Sequence, residues 1–336
     1  MSDTRPGWIE ATGLPPGVRG GTATRRFAGV SAAPFGPANY SERGGDDPAA
    51  VARNRAWLRE QLRLPAEPLW LQQVHGTAVV MADDPEPSFP GYAPTPLLEP
   101  SLLGSSPSGA SSALRGHAPT PHVEPSLLGL PPSGASSALR GYAPTPHVEP
   151  SLLGLPPSGA SSALRGSSPS GASSALRAAP CADACVVRGN GVAVVLTADC
   201  LPLLLAGPDG VAAVHAGWRG LADGVIEAAV RALSPSPGRI HAWLGPAIGQ
   251  RAFEVGPEVR AAFVDADPAA AGCFIAGRGD RWHADLYALA RLRLTALGVH
   301  AISGGDRCTF EDAAQFHSYR RDGARSGRMA TLVWRL

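Results

Sequence analysis

The sequence contains no lysine, so all 29 residues counted as Lys or Arg are arginines. They are balanced by 28 acidic residues, which gives a formal net charge of +1 at pH 7. A chain this close to neutral excludes a strongly basic nucleic-acid-binding protein and an acidic disordered tail as first hypotheses. We therefore expect no nucleic-acid partner.

Cysteine is scarce, with five residues, an odd number that argues against a disulfide framework and favours a reducing compartment. Long apolar runs are also missing. The longest, residues 192–206, contains Asp199 and Pro202 and is too short to cross a bilayer. The first twenty residues lack the apolar centre of a signal peptide. We expect a soluble, cytoplasmic protein without a membrane segment.

Glycine and proline are abundant, with 40 and 34 residues, and many of them lie in a repeat with a period of 25. Residues 91–115, 116–140 and 141–165 are nearly identical, and residues 166–177 are a partial fourth copy. Each copy has too few large apolar side chains to offset the entropy lost on ordering its backbone. We predict that residues 91–177 are a disordered low-complexity insertion, tolerated because closure entropy grows slowly with loop length. The alternative is a repeat array that binds a partner.

Outside the repeat, the apolar pattern is that of one mixed α/β domain. We assign residues 1–20 to a flexible N-terminus and residues 21–90 and 178–336 to a single catalytic α/β domain. Residues with helical spacing predict helices, and short apolar runs predict strands. The predicted helices are residues 49–64, 221–233 and 286–297, and the predicted strands are residues 69–74, 78–81, 192–197, 201–205, 211–215 and 329–336.

Three polar segments stand at breaks in the apolar pattern, each beside a Gly or Pro, where α/β proteins commonly carry their chemistry. They supply His75, Cys200 and His215. Imidazole and thiolate both suit zinc, and three protein ligands leave a fourth position open, as in catalytic zinc sites. Taken singly, each residue is more commonly a hydrogen-bonded core histidine or a buried free cysteine. Only the three together predict a metal site.

Five segments, in order along the chain, carry a resemblance to a known family. They are residues 73–76 (QVHG), 197–200 (TADC), 215–220 (HAGWRG), 244–249 (LGPAIG) and 318–323 (SYRRDG). Together they resemble the purine nucleoside phosphorylase family formerly named for laccase-like, or polyphenol oxidase, activity. The five segments occur in the family's order and cover nearly all of the chain outside the repeat. The resemblance is therefore far more specific than a match to any one segment.

The resemblance implies a mixed α/β fold of the YfiH type, related to a class of cysteine hydrolases. It also implies a zinc ion held by His75, Cys200 and His215, which are then the catalytic residues. Family members split adenosine, guanosine, inosine and S-methyl-5′-thioadenosine with phosphate, giving the base and ribose 1-phosphate, and they deaminate adenosine. The implied partners are therefore a small-molecule nucleoside and phosphate; the oligomeric state stays open.

Phosphate recognition calls for arginine, whose guanidinium forks onto phosphate oxygens. Arg26 lies in a segment, residues 26–31, that resembles a family motif, and Arg219 follows His215 by four positions on a turn. Both are candidate phosphate-binding residues; for each, a surface or interdomain salt bridge is the alternative.

Two other functions compete with the phosphorylase. One is copper-dependent polyphenol oxidation, which the absence of any His-x-His pair makes a weak candidate, although adventitious copper in an open site would give some oxidation. The other is a non-enzymatic interaction protein that displays the repeat. A third version of the site uses Cys200 as a free nucleophile with a histidine as base, in the absence of zinc.

Overall fold

The structure is a computed structural model that describes residues 5–82 and 179–336. The predicted insertion, residues 91–177, lies outside the described residues. Within the described ranges, no helix is both long enough and apolar enough to cross a bilayer.

The described residues form fourteen short strands, six α-helices and four 3-10 helices. The strands are β1 (Trp8–Glu10), β2 (Val18–Ala23), β3 (Pro68–Leu69), β4 (Val79–Ala82), β5 (Ala184–Val187), β6 (Val192–Thr197), β7 (Leu201–Ala206), β8 (Val211–Ala216), β9 (His241–Leu244), β10 (Glu254–Val255), β11 (Phe274–Ala276), β12 (Trp282–Ala284), β13 (Ala301–Gly304) and β14 (Met329–Arg335). The α-helices are α1 (Pro48–Leu62), α2 (Trp218–Asp223), α3 (Val225–Leu233), α4 (Pro257–Val264), α5 (Leu286–Ala296) and α6 (Tyr319–Asp322). Short 3-10 helices cover Pro237–Arg239, Gln250–Ala252, Pro268–Cys273 and Gly323–Arg325.

Two large sheets organise these elements. The first has five strands in the order β1-β2-β14-β6-β3, and the second has six in the order β13-β9-β7-β8-β5-β4. A small third sheet has the order β10-β12-β11. Strands β2 and β4 come from before the undescribed segment and pair with β14 and β5, which come after it. The two described segments therefore fold together.

The two large sheets pack face to face. Val195 and Val333 of the first sheet share a buried cluster with Leu204, Ala213 and Trp243 of the second. Because successive residues of a strand face opposite sides, strands β6, β7 and β8 bury both faces and have nearly continuous apolar sequences. This explains why all three are predictable from their apolar runs: β6 matches its prediction, and β7 and β8 each extend theirs by one residue.

Helices cover the outer faces of this pair of sheets. Leu58 of α1 packs with Val194 and Trp334 of the five-stranded sheet. Ile226 of α3 and Leu289 of α5 belong to the cluster on the outer face of the six-stranded sheet. The architecture is mixed α/β, as predicted.

Helix α1 begins and ends on local signals that the sequence displays. The Asp47 side chain accepts a hydrogen bond from the backbone N–H of Ala49 at 3.0 Å, and Pro48 occupies the first turn. The helix ends at Arg63, which has a left-handed backbone with φ 51°. The helix predicted over residues 49–64 is thereby confirmed with a shift of one or two residues.

Other predicted elements differ in detail. The helix predicted over residues 221–233 is interrupted by Gly224, whose φ of 96° ends α2 and begins α3. The predicted strand over residues 78–81 is β4, and the predictions for residues 286–297 and 329–336 correspond to α5 and β14.

The strand predicted over residues 69–74 is wrong beyond Leu69. Beyond Leu69 the pairing with β6 stops, and Gln72 makes only an isolated parallel bridge to Cys181. The Gln73 side-chain amide then bonds to the backbone N–H and C=O of Leu196 at 2.7 and 2.8 Å. His75 then adopts a left-handed φ of 64°, which ends any extended conformation.

Residues 5–20, predicted to be flexible, are structured. Strand β1 pairs antiparallel with β2, and β2 pairs with the closing strand β14. Trp8 is buried, with its ring centroid 6.4 Å from that of Trp334. Burial of this large aromatic surface offsets the entropy of ordering the segment, which corrects the prediction for residues 5–20.

Candidate metal centre

The three predicted ligands meet at one end of the six-stranded sheet. Cys200 directly precedes β7, and His215 lies near the end of β8. Because β7 and β8 are antiparallel, with Leu201 opposite Ala216, the start of one strand and the end of the other lie side by side. His75 reaches the same place from the turn between β3 and β4.

The donor atoms of His75, Cys200 and His215 all lie within 4.8 Å of one another. A point therefore exists at most about 2.8 Å (4.8 Å divided by √3) from all three donors, close to the roughly 2.0–2.3 Å of zinc–ligand bonds. The Cys200 Sγ to His75 Nε2 distance is 3.9 Å. The two imidazoles stand edge to face, with centroids 4.7 Å apart. Side chains separated by up to 140 positions thus converge on a common centre.

Gly217 leaves the space in which these side chains meet. A Cβ atom at this position would lie 3.0 Å from Cys200 Sγ, 3.2 Å from His75 Cδ2 and 3.6 Å from His215 Nε2. A side chain here would press on Cys200 Sγ and on the His75 ring and would touch the His215 ring. The glycine in the HAGWRG segment therefore has a steric role at the centre.

Asp183 orients both histidines. Its carboxylate is fully buried and accepts a hydrogen bond from Nδ1 of His215 at 2.8 Å, so Nε2 of that ring is the nitrogen left to face the centre. The same carboxylate accepts backbone N–H bonds from His75 at 2.9 Å and Gly76 at 2.6 Å. Burial alone would raise the pKa of Asp183, but His215 and the backbone donors outweigh it and hold that pKa below its usual value.

Cys200 and His215 each stabilise the charged form of the other, the thiolate and the protonated imidazole. Burial works against a charged thiol, yet the facing histidines lower the pKa of Cys200 below its usual range. Burial also works against a protonated imidazole, but Cys200 and Asp183 together raise the pKa of His215. The thiolate is the form of cysteine that ligates metal ions. Two imidazoles and a thiolate converging on one point fit a single zinc or copper ion.

A second buried carboxylate fixes the turn that carries Cys200. Asp199 has a left-handed φ of 94°, an unfavourable conformation for a residue with a Cβ. Its carboxylate accepts hydrogen bonds from Thr309 Oγ1 at 2.6 Å, Ser318 Oγ at 3.0 Å and the Arg320 N–H at 2.7 Å. These contacts hold the strained turn and tie it to the SYRRDG segment.

The centre opens into a cavity of about 1290 Å³ that His75, Cys200 and His215 all line. Its charged lining is unequal: six arginines against three carboxylates. The arginines are Arg43, Arg55, Arg59, Arg219, Arg320 and Arg328. Although the chain as a whole is nearly neutral, this cavity has an excess of positive charge and favours anionic ligands.

The two arginines predicted to bind phosphate occupy different places. Arg219 lines the cavity, with its guanidinium 4.5 Å from the ring centroid of Trp218. Arg26 is exposed and is not among the residues that line the cavity. Arg219 is therefore placed to contact a ligand in the cavity, and the phosphate role of Arg26 stays a prediction.

Sequence reasoning missed the parts of the site that depend on pairing between distant segments. Asp183 contacts His75 across 108 positions, and Asp199 contacts Ser318 across 119. Asp199 and Ser318 lie in two of the segments that carry the family resemblance, but no local pattern shows that they meet. For Asp183 the available signal is a polar residue beside an apolar strand, which many surface residues share.

Fold and site together define a mixed α/β protein with a candidate single-metal centre in an arginine-rich cavity. The chain belongs to the family described as multi-copper polyphenol oxidoreductase laccase, whose family model matches residues 21–96 and 164–336. The resemblance found in the sequence is thereby confirmed.

Curated relatives cover almost the whole chain. A Xylella fastidiosa protein named purine nucleoside phosphorylase is 38% identical over 339 residues, covering 98% of this chain and 97% of that one. The Escherichia coli protein named purine nucleoside phosphorylase YfiH is 35% identical over 323 residues, covering 95% of each.

Solved structures have the same fold. A Neisseria meningitidis protein matches with a TM-score of 0.67 at 32% identity, covering 98% of this chain and 99% of that one. A Geobacillus stearothermophilus protein matches with a TM-score of 0.66 at 22% identity, covering 100% and 98%, and that similarity concerns the fold alone.

Proposed function

We propose that the protein is a zinc-dependent purine nucleoside phosphorylase. It would convert adenosine, guanosine, inosine or S-methyl-5′-thioadenosine and phosphate into the free base and a ribose 1-phosphate. The observation that carries the proposal is the convergence of two imidazoles and a thiolate inside a cavity lined by six arginines. The names of the relatives that cover nearly the whole chain support the same reaction.

His75, Cys200 and His215 would hold the zinc, with Asp183 fixing the orientation of the imidazoles. When bound, the metal supplies positive charge and a vacant coordination position at which an oxygen anion can be oriented. Arg219, at the edge of the cavity, would add charge for the phosphate.

The nucleoside needs a surface for its purine ring. Trp218, Phe253 and Tyr319 all line the cavity, and Tyr319 is 52% exposed despite its size. Aromatic rings stack on purine bases with little dependence on the base, which suits a broad nucleoside range. As the bond from C1′ to the base breaks, positive charge develops on the ribose, and a phosphate held nearby both compensates that charge and forms the new bond.

A metal-ligand substitution tests the proposal. Cys200→Ala removes one of three donors, so the variant should lose bound zinc and lower base release from adenosine by about 100-fold or more, because two ligands hold zinc poorly. Cys181→Ala is the matched control, since Cys181 is exposed and does not line the cavity. Metal content and base release with and without phosphate are the measurements. Undiminished phosphate-dependent turnover in Cys200→Ala would refute the assignment.

The other functions stay predictions. Adenosine deamination by the same centre would be measured as inosine formed without phosphate. The family description names several coppers, whereas the part of the chain that the structure describes holds one group of three candidate ligands. Metal analysis and a phenol-oxidation assay on the copper-loaded protein distinguish a polyphenol oxidase from a phosphorylase. Partner binding by residues 91–177 would be tested with the full chain against a chain lacking them.

A further inference from the structure

Arg43 and Arg328 are two of the four cavity arginines, with Arg219 and Arg320, whose guanidinium groups make no ion pair with a carboxylate within the described ranges. Arg43 donates from Nη1 to the carbonyl oxygen of Gln73 at 2.7 Å. Arg328 donates from Nη1 to the carbonyl oxygens of Ser326 and Gly327. In contrast to Arg55, which pairs with Glu42 in the same cavity, both bond only to backbone carbonyls in the described ranges and keep spare N–H donors.

A continuous set of contacts brings these two arginines to the same side of the centre. The Gln73 residue that accepts from Arg43 also clamps Leu196 through its side-chain amide. The next residue, Thr197, lies opposite Met329 in the pairing of β6 with β14, and Arg328 immediately precedes Met329. Arg43, Thr197, Arg328 and Cys200 all line one cavity.

Thr197 contributes an unsatisfied polar atom at this place. Its side chain is almost fully buried, and its hydroxyl oxygen has no hydrogen-bond partner among the described residues. A buried hydroxyl without a partner costs free energy unless a ligand or water completes it. Because Thr197 lines the cavity, a ligand bound there can supply the missing bond.

The charges on this side of the cavity also call for an anion. Burial, with a small further contribution from the Arg43 cation, holds the pKa of Arg328 below its usual value. Arg328 is partly buried and Arg43 is exposed, so an anion bound by both would offset the water lost around Arg328 and the repulsion between the two cations.

From this geometry we infer that Arg43, Arg328 and the Thr197 hydroxyl form the binding site for inorganic phosphate beside the His75–Cys200–His215 centre. The inference rests on the proposed phosphorylase function and names the residues that hold its second substrate. Guanidinium groups match the spacing of phosphate oxygens, and the hydroxyl donates to a third oxygen.

Phosphate held there is placed to react with the nucleoside. A phosphate oxygen forms a bond to C1′ while the bond between C1′ and the base nitrogen breaks. The bonding electron pair leaves with the base, which takes up the proton that hydrogen phosphate loses on forming its bond to C1′, so no oxidant or reductant is needed. The arginines hold the phosphate without taking part in bond formation.

Steady-state kinetics test the assignment. Arg43→Gln and Arg328→Gln should each raise the phosphate KM by about 10- to 100-fold while changing the adenosine KM by less than about threefold, since a charge-assisted hydrogen bond is lost. Arg281→Gln is the matched control, because Arg281 is exposed and lies outside the cavity. Zinc content should stay unchanged in all three variants. An unchanged phosphate KM in both cavity variants would overturn the inference.

Thr197→Val tests the same site with a variant that is expected to fold normally. The hydroxyl has no partner among the described residues, so its replacement by a methyl group of similar shape should leave the unfolding midpoint unchanged or higher. The same substitution should raise the phosphate KM by about three- to tenfold. A lowered unfolding midpoint with an unchanged phosphate KM would show a purely structural role and overturn this part.

Calorimetry with inorganic phosphate separates the inference from the proposed function. Binding by the wild-type protein that weakens at least tenfold in Arg328→Gln supports the site even where no nucleoside is cleaved, in which case the phosphorylase proposal alone fails. The same guanidinium pair would suit the phosphoryl group of a nucleotide, so adenosine 5′-monophosphate is titrated in parallel. Binding of the nucleotide without binding of inorganic phosphate would overturn the inference.

Discussion

Replacing Asp183 by asparagine tests how the candidate centre is held together. The carboxylate accepts from Nδ1 of His215 and from backbone N–H groups of residues 74–76, the shortest being Gly76 at 2.6 Å. An asparagine has one acceptor oxygen, and its NH₂ group would face donors that it cannot satisfy. The substitution therefore breaks the buried network and keeps nearly the same side-chain volume.

The magnitude follows from the number of bonds lost. One of the two acceptor oxygens is replaced, so about two charge-assisted hydrogen bonds disappear, each contributing about 1.5–3 kcal/mol. We expect Asp183→Asn to lower the free energy of unfolding of the metal-free protein by about 3 kcal/mol or more. Because His215 also loses its orienting partner, zinc affinity should fall by about 10- to 100-fold.

Denaturant unfolding of the metal-free protein and zinc competition with a chelator measure the two effects separately. Asp280→Asn is the control, since its carboxylate is mostly exposed and pairs with the neighbouring Arg281 at the surface. An Asp183→Asn variant with the unfolding midpoint and the zinc affinity of the wild type would refute the positioning role.

Two further predictions concern regions outside the centre. Burial lowers the pKa of His317 to about 4, below the roughly 6.5 of an unfolded histidine. The unfolded state therefore takes up the proton first, and the free energy of unfolding falls as the pH drops through 6.5 towards 4. Denaturant unfolding should show a loss of about 2 kcal/mol between pH 8 and pH 5. His317→Gln should remove this pH dependence, and a variant that keeps it would contradict the prediction. Deleting residues 91–177 should leave phosphorolysis within about twofold, because closing a shorter loop costs less entropy; an inactive but folded product would show that the repeat is required.

The apolar interior of the fold was largely predictable from the sequence. Strands β6, β7 and β8 are buried on both faces, so their apolar runs are long enough to distinguish from loops. Strands β10, β11 and β12 have two or three residues each and carry too little pattern to be recognised. Residues 70–74 contain apolar side chains, yet their contacts are with distant segments: Gln72 bridges to Cys181, and Gln73 bonds to Leu196, 123 positions away.

The candidate site was predictable in its three ligands and in one arginine. His75, Cys200 and His215 stand at turns that interrupt apolar runs, a local signal that the sequence displays, and Arg219 follows His215 on the same turn and lines the cavity. Arg328 carries no such signal, because it lines the cavity only through the pairing of β14 with β6. Charge at a site depends on which distant segments the sheets bring together.

The parallel pairing of β4 with β5 bears on how far the length of the segment between them can vary. Parallel neighbours need a return connection of a dozen or more residues, and the Asp183 contacts with residues 74–76 fasten the chain near both ends of that connection. Treated as a flexible loop, one more 25-residue copy adds only about 0.2 kcal/mol of closure entropy. By this measure a change in copy number costs little folding free energy, and the same position offers a place to insert a foreign domain or reporter.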